Sequence, residues 1–285
     1  MLHIKVNATS ANICIGFDTL GLALSLANEF TFEKSDKFEF EGFASEYRTE
    51  KTNLVCEAYK KVFGILNKNI IPCKIGYKGQ IPVSRGLGSS SSLIVAGVFA
   101  ANYFLNSPLS INELFDICVS MEGHPDNVAP AIYGGLVSSY KKGNSFIANS
   151  FNVNKDLVFI VAIPKYELKT KDAREALPKS LSYADAVNNI SRIINLPRAF
   201  NDGDINLLLD LFVDRLHEPY RGPLIKEYNE IKSICSDYNI PMAISGSGST
   251  MLIISKSKDI ISKIDHLDVD IKALNIGDGV KLWED

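Results

Sequence analysis

Along the first forty residues, short apolar stretches alternate with polar ones: Leu2, Ile4 and Val6, then Leu20 to Leu26, then Phe30 with Phe32 and Phe38 with Phe40. Period-two spacing rich in aromatics predicts strands, paired antiparallel. The period then lengthens. Leu54, Val55, Ala58, Val62, Phe63 and Leu66 share one face of a helix, which Thr52 can cap. Ile75 and Tyr77 predict a strand that ends near Pro82. From Leu93 to Phe104 apolar residues cover every side, the mark of a buried helix. A second helix is predicted from Ser110 to about Met121, with Ser110 and Glu113 in capping-box spacing. Leu136 to Tyr140 and Phe146 to Ala148 read as strands around the turn Lys142-Gly143-Asn144.

Leu157 to Ile163 is a continuous apolar run after the polar stretch Asn152 to Asp156. A domain boundary there gives residues 1–154 and 155–285. The second part predicts helices at Tyr183 to Phe200, Ile205 to Leu216 and Leu224 to Tyr238. Strands at Met242 to Ser245 and Met251 to Ser255 follow, then a short helix and a last strand, Val269 to Leu274. The chain thus reads as a mixture of helices and strands.

Composition narrows the function classes. The 285 residues agree with two domains of roughly 150 each. With 46% hydrophobic and 22% charged residues, the chain is neither disordered nor fibrous. Thirty-three acidic residues against 30 basic ones leave −3, which argues against a nucleic-acid binder. Cys14, Cys56, Cys73, Cys118 and Cys235 have no C-x-x-C spacing, and His3, His124, His217 and His266 form no zinc motif. The apolar run Leu93 to Ala101 is shorter than the ~20 residues a bilayer needs. The opening MLHIKVNATSAN has no long apolar core, so no signal peptide is expected. A cytoplasmic enzyme without membrane association is the expectation.

The strongest local signal is Gly86-Leu87-Gly88-Ser89-Ser90-Ser91-Ser92 opening the buried helix. Two glycines let backbone approach a ligand closely. The first helical N–H groups have no partner within the helix, and the helix dipole adds positive charge there, so the segment suits a phosphate. Serine hydroxyls can add oxygen ligands for Mg2+. This is not a Walker A loop, because Ser89 stands where that motif has Lys. A serine-rich cap on a core helix is the plain alternative.

The segment Pro82-Val83-Ser84-Arg85-Gly86-Leu87-Gly88-Ser89-Ser90-Ser91 resembles the ATP loop of the GHMP kinases. Three further blocks are similar to that family in the same order. They are Asn7 to Asn12 with Gly16 to Gly21, Glu122 to Pro130 followed by Gly134-Gly135, and Ile244 to Thr250. The first two of these blocks resemble the homoserine kinase branch. The resemblance implies the α+β class, with an N-terminal domain like ribosomal protein S5 domain 2 and a ferredoxin-like C-terminal domain. It implies ATP-dependent phosphorylation of the L-homoserine hydroxyl, with Mg2+. It also implies threonine biosynthesis as the pathway. A mevalonate-type kinase and a non-catalytic nucleotide- or RNA-binding module are the rival readings, and a homodimer is left open.

The same resemblance implies roles for individual residues. Pro82, Val83, Ser84, Arg85, Gly86, Leu87, Gly88, Ser89, Ser90, Ser91 and Ser92 would bind the nucleotide, with Asn53 reaching its adenosine or capping a helix. Ser90 and Glu122 would hold Mg2+. Arg174, in Thr170 to Pro178, and Arg221, in His217 to Arg221, would grip the substrate carboxylate. Asp18 would meet the ammonium, with Asn12, Thr170, Asn127 and Gly246 completing the substrate site. Asn127 stands where related mevalonate kinases carry an Asp regarded as a base, and an amide cannot take a proton; Asp126 is the alternative base. Catalysis would then rest on positioning and charge. Ile13-Cys14-Ile15 and Ser249 depart from the family's usual glycine and proline.

Overall fold

The computed structural model describes residues 1–285. β1 (Leu2–Ala11) and β2 (Leu20–Lys34) form a long antiparallel pair with a register shift at Asn7/Ala8. The two apolar stretches Leu20 to Leu26 and Phe30–Phe32 therefore lie on one strand. β3 (Glu39–Glu41) leads through α1 (Leu54–Ile65) to β4 (Cys73–Lys78) and pairs with it in parallel, not antiparallel with its neighbours in the first forty residues. A helix between the two strands allows that direction. The cap of α1 is Asn53, not Thr52: its side-chain oxygen accepts from Cys56 N–H at 3.1 Å.

α2 (Ser89–Phe104) and α3 (Ile111–Glu122) follow as predicted, α3 with the Ser110–Glu113 capping box in place. α4 (Pro125–Tyr133), not foreseen from the periodicity, then leads into the hairpin β5 (Leu136–Lys142) and β6 (Ser145–Phe151). One face of this sheet packs on the helices in a core that joins Ile4, Phe30 and Ile75 to Val55, Phe63, Val95 and Phe115.

The second sheet has the order β10-β7-β9-β8 and is antiparallel throughout. Its strands are β7 (Val158–Pro164), β8 (Met242–Ile244), β9 (Met251–Ser255) and β10 (Val269–Leu274). Between β7 and β8 run α5 (Thr170–Glu175), α6 (Tyr183–Ile193), α7 (Leu196–Asp202), α8 (Ile205–Leu211), α9 (Glu218–Arg221) and α10 (Tyr228–Asp237). α11 (Ile261–Ile264) lies between β9 and β10. The outer strands flank the first and third, which is ferredoxin-like order.

Three helix predictions need correction. Tyr183 to Phe200 is two helices, because Pro197 in the first turn of α7 forbids a continuous one. The helix from Ile205 stops at Leu211 and does not reach Leu216. Gly222-Pro223-Leu224 is a separate 3-10 turn, so α10 begins at Tyr228. The division 1–154 and 155–285 also needs amendment at its end. An unforeseen strand, β11 (Lys281–Glu284), pairs antiparallel with β1, so the last residues return to the first sheet.

A separate set of buried side chains joins the halves. Ala8, Leu20 and Leu22 pack with Phe159, Val161, Leu252 and Phe200. The part of β1 and β2 that carries Ala8, Leu20 and Leu22 is thus covered by the second sheet and α7.

Candidate active site

α2 begins at Gly88, whose φ of 69° is left-handed. The first helical hydrogen bond runs from Ser92 N–H to Gly88 O (3.0 Å), so the N–H groups of Ser89, Ser90 and Ser91 precede it. The preceding loop is clamped by the C-terminal glycine-rich segment. Ser245 Oγ donates to Gly86 O at 2.6 Å, Thr250 N–H donates to Arg85 O at 3.2 Å, and Thr9 N–H donates to Leu87 O at 3.1 Å. Gly86, at φ 75°, has no room for a side chain: a Cβ there would stand 2.2 Å from Ser245 O. The loop conformation therefore depends on both halves of the chain.

Beside this helix start lies a cavity of about 480 Å3. The glycine-serine loop from Val83 to Ser90 lines one wall. Pro82, Ser91 and Ser92, expected at the nucleotide, do not line it. Ser91 and Ser92 are fully buried; Ser92 Oγ donates to Ser89 O and accepts from Asn28, so its side chain belongs to the helix interior. Arg85 lines the cavity, but its guanidinium is committed elsewhere. It donates to Pro164 O (3.0 Å), Lys165 O (2.8 Å) and Val83 O (3.0 Å), latching the loop to the end of β7.

Ser90 Oγ donates to Glu122 Oε1 at 2.6 Å, joining the start of α2 to the end of α3. Both residues line the cavity. A hydroxyl and a carboxylate side by side are hard oxygen donors, and Mg2+ takes one or two such protein ligands with phosphates and waters. The donor set fits that ion.

Part of the cavity lining carries charge. Arg174 Nη1 and Nη2 donate to Asp18 Oδ2 and Oδ1 at 3.0 and 2.9 Å. The two residues expected to meet opposite ends of a substrate therefore meet each other. Arg221 is 2% exposed, and donates to Ala173 O (3.2 Å) and Gly246 O (3.0 Å). Burial, then the charge of Arg174, pulls its pKa down from the ordinary arginine value. Asn12 is a brace: its oxygen accepts from Asp18 N–H (2.9 Å) and its amide donates to Gly246 O (2.8 Å). Thr170 Oγ1 lies 3.3 Å from Ser247 Oγ.

α4 adds Asp126 and Asn127 to the lining. Asn127 Oδ1 accepts from Thr9 Oγ1 at 2.8 Å, which leaves its NH2 group as the available donor. Asp126 is buried and accepts from His124 Nδ1 (2.7 Å) and from Asn127 N–H (3.0 Å). That hydrogen bond raises the His124 pKa. Burial pushes the Cys14 thiol well up, so it is no nucleophile.

The remaining wall is aromatic and was not read from the sequence. Phe43, Tyr47, Tyr77, Leu54 and Leu93 line it, with Phe43 and Tyr77 stacked at 4.8 Å. Asn53 lines the cavity as well; its side-chain oxygen caps α1 and its amide donates to Tyr47 O (2.8 Å). Aromatics on a strand or in a glycine turn read equally well as core, so no local signal marked them.

Comparison with known proteins agrees with this geometry. Residues 53–135 match the GHMP kinases N-terminal domain and residues 197–264 the GHMP kinases C-terminal domain. The chain is 38% identical to a homoserine kinase of Clostridium acetobutylicum, covering 100% of this chain and 96% of that one. The crystal structure of homoserine kinase from Cytophaga hutchinsonii superposes with a TM-score of 0.87 at 25% identity, covering 99% of this chain and 97% of the other. A putative homoserine kinase from Listeria monocytogenes gives 0.81 at 28%, with full coverage of both chains. The chain belongs to the GHMP kinase family, in its homoserine kinase branch.

Proposed function

We propose that the protein transfers the γ-phosphoryl group of ATP to the side-chain hydroxyl of L-homoserine, giving O-phospho-L-homoserine and ADP. The observation that carries this reading is one cavity whose lining combines three kinds of chemistry. It has a stacked aromatic wall for a base, an amide-rich helix start for phosphates, and Arg174, Arg221 and Asp18 for an amino acid's two charges.

The chain's own groups divide the work. Amides of the α2 start, with the helix dipole, hold the phosphate tail. Ser90 and Glu122 would hold Mg2+, which supplies charge neutralisation at the phosphates when bound. Arg221 and Arg174 suit a carboxylate through their planar forks, and Asp18 suits an ammonium. The Asn127 amide donates toward the cavity. It cannot accept the hydroxyl proton, and Asp126 already serves His124 and its own neighbour's N–H. A loose phosphoryl transition state asks little of a base, so alignment of hydroxyl and γ-phosphate carries the rate.

Residues up to about 154 would bind the nucleotide, and the second half would close the substrate end. All five cysteines are free and buried, which suits a reducing compartment such as the cytoplasm.

ADP release measured across small alcohols tests the reading. Turnover of L-homoserine is expected, with mevalonate and sugars inert. A preference for mevalonate would move the protein to another branch. ATP affinity with no turnover of any alcohol, or salt-sensitive RNA binding, would make it a binding module.

A further inference from the structure

Phe17 has no assigned role, yet its ring lies against both arginines and His217. Its ring lies 5.1 Å from Arg221 Cζ and 5.9 Å from Arg174 Cζ, and stacks on the His217 ring at 5.4 Å. Arg174 has a carboxylate partner. Arg221 is buried and its hydrogen bonds go to backbone carbonyls only, while the charges of Asp18, Asp126 and Asp214 act on it from a distance. A buried cation whose hydrogen-bond acceptors are neutral is costly unless the groups around it favour its charge. The negative face of an aromatic ring within ~6 Å does so.

Both the ring and its support are pinned. Gly16 N–H donates to Asn12 O (2.7 Å) and Asp18 N–H to Asn12 Oδ1 (2.9 Å), which fixes the backbone on either side of Phe17. His217 Nε2 donates to Cys14 O (2.6 Å), while its Nδ1 is buried without a partner. Burial lowers the His217 pKa, so the stacked imidazole is neutral and brings no third positive charge. Asp214 accepts from the N–H groups of His217 (2.8 Å) and Glu218 (2.7 Å) and anchors the start of α9, which carries Arg221.

We propose that Phe17 is a positioning residue of the carboxylate site, whose ring face supports the charge of Arg221 and sets its spacing from Arg174. The inference rests on the homoserine reading and deepens it. Simple packing would make any apolar side chain of similar size an adequate substitute; a cation–π role requires the electron-rich ring.

The full-length enzyme with Phe17→Leu, Phe17→Tyr, or 3,4,5-trifluorophenylalanine at position 17 separates the two. Fluorination keeps the shape and removes the negative face. The leucine and trifluoro forms are expected to raise the homoserine KM about tenfold, with the ATP KM within about twofold of the parent and Phe17→Tyr near the parent. A trifluoro form with the parent's homoserine KM overturns the proposal, as does an equal rise in both KM values. If Phe17→Leu melts too low to assay, the isosteric trifluoro form decides. Should the parent prefer another carboxylate-bearing alcohol, the homoserine reading fails and Phe17 is judged on that substrate. A preferred alcohol without a carboxylate overturns the Phe17 role as well.

Discussion

Arg174 and Asp18 hold each other through two parallel hydrogen bonds of 3.0 and 2.9 Å, although 156 residues separate them in the chain. One comes from α5 and the other from the turn between β1 and β2. An amino-acid zwitterion carries one charge for each partner, so it can replace one ion pair by two without stranding a charge. An alcohol lacking either charge would leave a guanidinium or a carboxylate uncompensated, which gives selection by penalty.

Arg174→Ala is therefore expected to raise the homoserine KM at least about tenfold, the value of a charged hydrogen bond of roughly 1.5–3 kcal/mol. The ATP KM should stay near that of the parent enzyme. Asp18→Asn should act in the same direction, because it removes the ammonium partner. Steady-state kinetics with each substrate varied in turn checks this; equal effects on both substrates would show that the pair serves the fold and not homoserine.

The start of α2 gives a second expectation. Gly88 sits at φ 69°, and a Cβ there would lie 1.9 Å from Thr9 Oγ1, the hydroxyl that donates to Asn127. Gly88→Ala combines a left-handed backbone cost of roughly 1–2 kcal/mol with that collision. The ATP KM should rise by more than the homoserine KM, and the melting temperature should fall. A variant with unchanged ATP KM would remove the loop from the nucleotide site.

The Ser90–Glu122 contact predicts the metal response. Chelation of divalent ions should abolish turnover. Glu122→Gln should raise the Mg2+ concentration for half-maximal rate at least about tenfold, and Ser90→Ala less, since a carboxylate contributes charge and a hydroxyl only a dipole. A Mg2+ titration of each variant is the measurement. An unchanged Mg2+ dependence in Glu122→Gln would mean that the carboxylate only receives the Ser90 hydrogen bond.

The parts of this site readable from sequence are those built by local backbone chemistry. A phosphate loop needs its glycines and helix start in consecutive positions, so Gly86 to Ser90 announced themselves, and α2 was visible as an all-round apolar helix. The resemblance supplied Arg174, Arg221 and Asp18, but not that Arg174 and Asp18 pair, because only the folded chain brings α5 onto the β1–β2 turn. The aromatic wall was hidden for a similar reason. Phe43 reaches Tyr77 through the parallel pairing of β3 and β4, and nothing in a three-residue exposed strand signals its partner. β11 was missed because four exposed residues have no face to bury, and its pairing with β1 is a property of the sheet. Arg85 carries a further role that the loop motif does not signal: it lines the cavity, and its guanidinium also binds carbonyls of Val83, Pro164 and Lys165.

A last expectation comes from below the site. Glu218 opens α9, three residues before Arg221, and is fully buried; its Oε1 accepts from Ile244 N–H at 2.6 Å and its Oε2 from Tyr228 Oη at 3.3 Å. Burial pushes its pKa up to about 7. The folded chain then holds a proton on this carboxyl that the unfolded chain releases near pH 4.3. Between those values the native state binds more protons than the unfolded state, so stability falls as pH rises, levelling off above about 7. Glu218→Gln keeps an acceptor for Ile244 N–H and has no charge to bury. It should lose that part of the slope and be more stable than the parent at pH 8, by on the order of 1–3 kcal/mol. Denaturant unfolding of both proteins from pH 5 to 8 decides it. Parallel stability curves would mean that Glu218 is ionised in the native state, with Lys232 and the backbone N–H carrying its charge.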